Sequence, residues 1–170
     1  MKSSLATVVA LIGLTLAPTT GSHAREDRQE AGDILSRVEG RWSGEGTVLG
    51  QPSRIEMEWS WTLGRRFLRL TFTNEMGTAP KTTTFEGHAY YRSLGGGQYR
   101  GMWFDNSGQM RPISARRDGE ALVSNWGTPD TEEGETTYRL AGAGRLEVVD
   151  RVKSKDGMWR TFGQSALTKR

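Results

Sequence analysis

Glu86 and His88 stand two residues apart in a stretch of alternating character, so a strand there would project both from one face. A carboxylate beside an imidazole is a minimal kit for general acid–base chemistry, and burial inside a cavity would raise the carboxyl pKa toward a useful range. The opposite face carries Phe85, Ala89 and Tyr91, so the competing arrangement leaves Glu86 and His88 in solvent or paired on the outer surface. Asp150 poses the same question from another segment. It shares a face with Leu146, Val148 and Val152, and an inward acid there would need a partner such as Arg100, Arg111 or Arg139. Glu86, His88 and Asp150 are therefore weak catalytic candidates.

Other chemistries lack their residues. Imidazole- or thiolate-ligated metals need several converging ligands, whereas the chain has no cysteine and, after His23, only His88. Asp105-Asn106-Ser107-Gly108 resembles the start of a calcium loop but lacks its further oxygens and terminal glutamate, so it reads as a hairpin turn. No G-x-S-x-G elbow or phosphate-binding loop is present, and Gly95-Gly96-Gly97 falls between two strand patterns. No metal or cofactor is expected.

Aromatic side chains are the stronger signal. Six tryptophans are many for one small domain. Large flat groups with a polar edge either fill a core or line a small-molecule pocket. Met57, Trp59 and Trp61 recur on one face of Arg54 to Thr62, opposite Glu56, Glu58 and Ser60. Trp42 shares its face with Gly44 and Gly46, which would leave space beside the ring, and Trp103 lies in a later strand pattern. Trp42, Gly44, Met57, Trp59, Trp61 and Trp103 are the expected ligand-binding residues.

The elements that would position these groups are legible as a series. Glu30 to Val38 has apolar residues at helical spacing, and Gly40 ends that pattern. Alternation then takes over, broken at Gly50 to Pro52, Leu63 to Arg65, Met76 to Pro80, Leu94 to Gly97, Asp105 to Gly108, Arg117 to Gly119, Gly127 to Gly134, Ala143-Gly144 and Ser154 to Gly157. These breaks imply about ten antiparallel strands in a meander, with no helix available for parallel crossovers. Such a meander removes its edges by closing into a barrel, whose interior must be plugged by side chains or occupied by a ligand. The fold class is accordingly all-β, a roughly ten-stranded barrel with a short N-terminal helix covering one end.

Residues 1–24 read as a secretory signal: Lys2, an apolar run from Leu5 to Ala17, and Ser22-His23-Ala24 as the cleavage site. The run is short of the ~20 apolar residues needed to span a bilayer, so stable membrane insertion is not expected. Residues 25–39 would be a leader and capping helix, and 40–170 the barrel domain. Loss of Lys2 with the signal lowers the net charge of +3 by one, and a nearly neutral domain does not suggest nucleic-acid binding. An exported protein without cysteine must be stabilised by packing.

Gly40-x-Trp42 directly after a short helix resembles the first motif of lipocalins and their calycin relatives, and Gly40-x-Trp42-x-Gly44-x-Gly46 is similar to nitrobindin-like barrels. Trp61-Thr-Leu-Gly64-Arg-Arg66-Phe67-Leu68 and Tyr99-Arg-Gly101-Met-Trp103-Phe-Asp105-Asn-Ser-Gly108 resemble secreted bacterial lipocalin-like proteins of unknown function. The resemblance implies a ten-stranded calycin-type barrel with a pocket for a small apolar or amphipathic molecule. It departs from nitrobindins at one point: their haem-ligating histidine near the C-terminus has no counterpart in Trp159 to Lys169. The expected function is non-catalytic binding or carriage of such a ligand, in the periplasm or outside the cell. An isomerase or cyclase using Glu86, His88 or Asp150, and a structural envelope module with a packed interior, are the alternatives.

Overall fold

The alternation of Arg54 to Thr62 becomes a strand with Ser53, Ile55, Met57 and Trp59 buried and Arg54 and Glu56 exposed. The same two-residue period recurs around the molecule. The computed structural model describes residues 32–142 and 144–170; the expected signal segment and most of the expected leader lie outside the described residues. Among the described residues one short helix, α1 (Ile34–Val38), precedes ten strands: β1 (Gly40–Val48), β2 (Gln51–Thr62), β3 (Phe67–Thr78), β4 (Lys81–Gly95), β5 (Gln98–Asp105), β6 (Met110–Asp118), β7 (Ala121–Trp126), β8 (Gly134–Leu140), β9 (Arg145–Lys153) and β10 (Trp159–Lys169).

Each strand pairs antiparallel with the next, and β1 pairs with β10 from Trp42↔Lys169 to Val48↔Gly163, which closes the ring. Closure needs glycine at two positions. A Cβ on Gly44 would sit 2.1 Å from the Ala166 carbonyl oxygen, and one on Gly46 2.2 Å from that of Gln164. The room beside Trp42 is thus taken by the backbone of β10. Around the ring, full closure leaves no strand edge with unpaired peptide groups.

Asp33 has an extended backbone and accepts the Leu35 N–H at 3.2 Å, the geometry of an N-cap, so α1 begins at Ile34; the part of the expectation that falls on Glu30 and Ala31 lies outside the described residues. Ile34, Leu35 and Val38 are fully buried, and the Val38 carbonyl accepts Trp42 Nε1–H at 2.7 Å. Asp33 also accepts the Tyr99 hydroxyl, and Arg37 pairs with Glu120 in the β6–β7 turn. These contacts seat α1 over the barrel end that carries the β2–β3, β4–β5, β6–β7 and β8–β9 turns.

Beneath the helix the interior is solid. Trp59 lies between Tyr91 and Tyr138, with ring centroids 5.5 and 5.1 Å away. Trp42, Leu68, Leu70, Leu122, Leu146 and Leu167 fill the space around them. At this level side chains plug the barrel. No helix among the described residues is long and apolar enough to cross a membrane.

Candidate functional site

Toward the end opposite α1 the packing stops, and a cavity of about 280 Å³ opens inside the barrel. Small-molecule pockets run from ~300 Å³ upward, so this one suits a molecule of one or two fused rings. Leu49 in the β1–β2 turn, Ser107 in the β5–β6 turn and Glu132 in the β7–β8 loop mark its mouth.

One wall is aromatic. Phe72, Phe85 and Trp103, from β3, β4 and β5, form a cluster with centroid separations of 6.0 to 6.2 Å. Trp103 reaches its place because Gly87 opposes its neighbours in the sheet: a Cβ at Gly87 would lie 2.1 Å from the indole ring. Its Nε1–H donates to Asp105 at 3.0 Å, which turns the ring's polar edge toward the mouth. Asp105 also accepts from Ser107 and from the backbone of Gln109. Burial opposes the charge of Asp105, yet these hydrogen bonds outweigh it and hold the carboxyl below its ordinary range.

The facing wall is polar. Trp126 Nε1–H donates to Thr136 Oγ1 at 3.2 Å, and the Thr136 hydroxyl donates to Asp150 Oδ1 at 2.7 Å. Because the threonine oxygen already accepts from the indole, its proton is directed to the carboxylate. Gly134 gives Trp126 its room, since a Cβ there would lie 1.9 Å from the ring, and Gly163 gives Asp150 its room, with a Cβ falling 2.7 Å from Oδ2. Burial pushes the Asp150 carboxyl above the usual carboxylate range, and the Thr136 hydrogen bond offsets that only in part. No ion pair joins Asp150 to an arginine or lysine among the described residues: Arg111 lies at the mouth, bonded to Glu132 at 2.6 Å and stacked 5.0 Å from the Trp126 centroid.

Two tyrosines close the cavity floor. The Tyr91 hydroxyl lies 3.0 Å from Ser124 Oγ, and burial, moderated by hydrogen bonds to Ser124 and Tyr138, pushes its pKa up to about 12. Burial and the nearby Tyr91 and Asp150 raise Tyr138 well above its ordinary value. Both are neutral hydroxyls at any physiological pH. On the aromatic side, Asn74 is 2 % exposed, and its Oδ1 has no hydrogen-bond partner.

Of the residues singled out by type and spacing, Met57, Trp103 and Asp150 line this cavity. Trp42 and Trp59 belong to the solid half, Gly44 to the β1–β10 seam, and Trp61 to the helix-covered end, where Arg65 stacks 5.1 Å from its centroid. Glu86 and His88 are exposed on the outer face of β4, with His88 Nδ1 3.4 Å from Thr71 Oγ1, so they do not meet Asp150 inside the barrel. No group of three or more His, Cys, Asp or Glu residues able to hold a metal occurs among the described residues. Asn74, Ser124, Thr136 and Tyr138 were not anticipated. Their shared signal is a polar group at the inward parity of an otherwise apolar strand face.

No protein-family model matches the chain, and no curated protein sequence matches it. Among solved structures it is similar to Rv2717c from M. tuberculosis, at a TM-score of 0.58 and 15% identity over 80% of this chain and 94% of that one. A de novo designed fluorescence-activating β-barrel aligns at a TM-score of 0.45 and 15% identity, over 81% and 98% of the two chains. The likeness to Rv2717c is one of fold: a closed antiparallel barrel.

Proposed function

We propose that this protein binds a small amphipathic molecule in the barrel cavity without transforming it, and that it does so after export, as a lipocalin-like protein. The observation that carries the reading is the division of the interior into a packed half under α1 and an open half with one aromatic and one hydrogen-bonding wall. A structural module has no use for that division, because filling the open half with leucine or phenylalanine would add ~25 cal/mol for each Å² of apolar surface buried. The aromatic wall desolvates the ligand and the polar wall orients it. Export rests on the signal-like character of residues 1–24.

Native mass spectrometry of the protein purified without detergent tests the binding. Retained or titratable small molecules that are lost on Trp103→Ala are expected, and their consistent absence across a panel of aromatic probes overturns the proposal. Intact mass of the protein from its own host tests export, with cleavage after Ala24 as the expected result.

A further inference from the structure

The polar groups of the cavity are not balanced between donors and acceptors. Asp150 Oδ1 takes one hydrogen bond, from Thr136, and its carboxylate forms no ion pair with any described residue. Asn74 Oδ1, on the other side of the barrel, is a buried acceptor with no partner. Of the charged residues lining the space, Arg111 is matched by Glu132, which leaves Asp105 and Asp150 as uncompensated negative charge. Asp105 has its hydrogen bonds met by Trp103, Ser107 and Gln109. Asp150 does not: its Oδ2 accepts no side-chain hydrogen bond from any described residue.

A buried carboxylate without a cation is costly, and proteins seldom keep one except where a partner arrives. What satisfies the carboxylate is a donor-rich positive group, and an ammonium offers three N–H donors and no acceptor. The faces of Phe72, Phe85 and Trp103 carry negative quadrupole potential, which also favours a cation. Resting on the cavity-binding reading above, we propose that the ligand is a cationic amphipathic amine: an aromatic or alicyclic body against Phe72, Phe85 and Trp103, and a protonated nitrogen with Asp150 as counter-ion.

The groups facing Asp150 allow a clean test. Thr136 and Tyr138 on β8, Ser124 on β7, Tyr91 on β4 and Gly163 on β10 are all neutral, and the remaining charged groups, Asp105, Arg111 and Glu132, sit toward the mouth. Three indole probes that differ in the charge of the side chain separate the possibilities: tryptamine, the neutral 3-propylindole of equal size and the anionic indole-3-propionate, each titrated calorimetrically into the full barrel. Tryptamine should bind about tenfold or more tightly than 3-propylindole, the factor expected for a hydrogen-bonded charge in a low-dielectric site. Asp150→Asn keeps an acceptor for the Thr136 hydroxyl and should erase this preference, bringing tryptamine down to the affinity of 3-propylindole. In the unmutated protein, lowering the pH from about 7 to about 4 should weaken tryptamine and spare 3-propylindole, because the carboxyl takes up a proton while the amine keeps its own. Equal or tighter binding of 3-propylindole or indole-3-propionate, or a preference that survives both Asp150→Asn and acid, overturns the amine assignment and leaves cavity binding standing. Failure of all three probes to bind overturns both.

Discussion

Trp59 and Trp103 differ in what surrounds them. Trp59 is wedged between Tyr91 and Tyr138 in the solid half, so Trp59→Ala should cost about 3–5 kcal/mol in a urea titration, as for other large buried aromatics. Trp103 has the cavity on one side and should show the opposite balance, with a smaller loss of stability and a large loss of ligand affinity. Gly87→Ala should displace the Trp103 ring, destabilise the fold by about 1–3 kcal/mol through overpacking, and shift tryptophan emission. Asp150 ties stability to pH. Its folded pKa lies above that of the unfolded chain, so the folded state holds the proton more tightly, and stability falls as pH rises from the ordinary carboxylate value through the raised one. Asp150→Asn should therefore raise the melting temperature at neutral pH and flatten its dependence on pH over that window. Residue type and strand parity pointed to Met57, Trp103 and Asp150. Parity tells which face a side chain occupies, but not its height along the barrel axis, and height is what separates Met57 at the cavity from Trp59 and Trp61 on the same strand face. Height depends on strand tilt and stagger, which are properties of the closed ring.

Strands and turns were the most legible level. All nine breaks in the alternation coincide with connections between the ten strands, because glycine and Asx residues impose local backbone geometry that needs no tertiary partner. The helix was less so: apolar spacing alone does not mark where α1 starts, which the cap at Asp33 sets. One turn runs against its own residue type. Leu49 and Gly50 have φ of 50° and 75°, the left-handed pair of a two-residue hairpin, where Asn-Gly is the favoured sequence. A leucine there costs about 1–2 kcal/mol, and it is 68% exposed at the cavity mouth. Leu49→Asn should raise stability by about 1 kcal/mol and weaken ligand binding, a trade visible by comparing denaturation midpoints with probe affinities.

At the scale of the molecule the protein is a cup: a lid of one helical turn and a half, a solid base beneath it, and a cavity that opens away from both. Ligand bound at about a hundredfold excess over its Kd should add ~2.7 kcal/mol to unfolding free energy, read as a rise of several degrees in melting temperature. That rise should vanish in Trp103→Ala and persist in variants of the outer face such as His88→Gln. The ring is completed by its first and last strands, with Trp42 beside Lys169 and Val48 beside Gly163. A chain built in this order cannot lock until β10, the last of the ten strands, is free to pair. While it is being made, β1 offers its glycine-rich side to a neighbour that does not yet exist. Under the export proposed above, which would thread the chain unfolded through a translocation channel, that schedule of closure acts as its own delay, with the latch on the last of the ten strands.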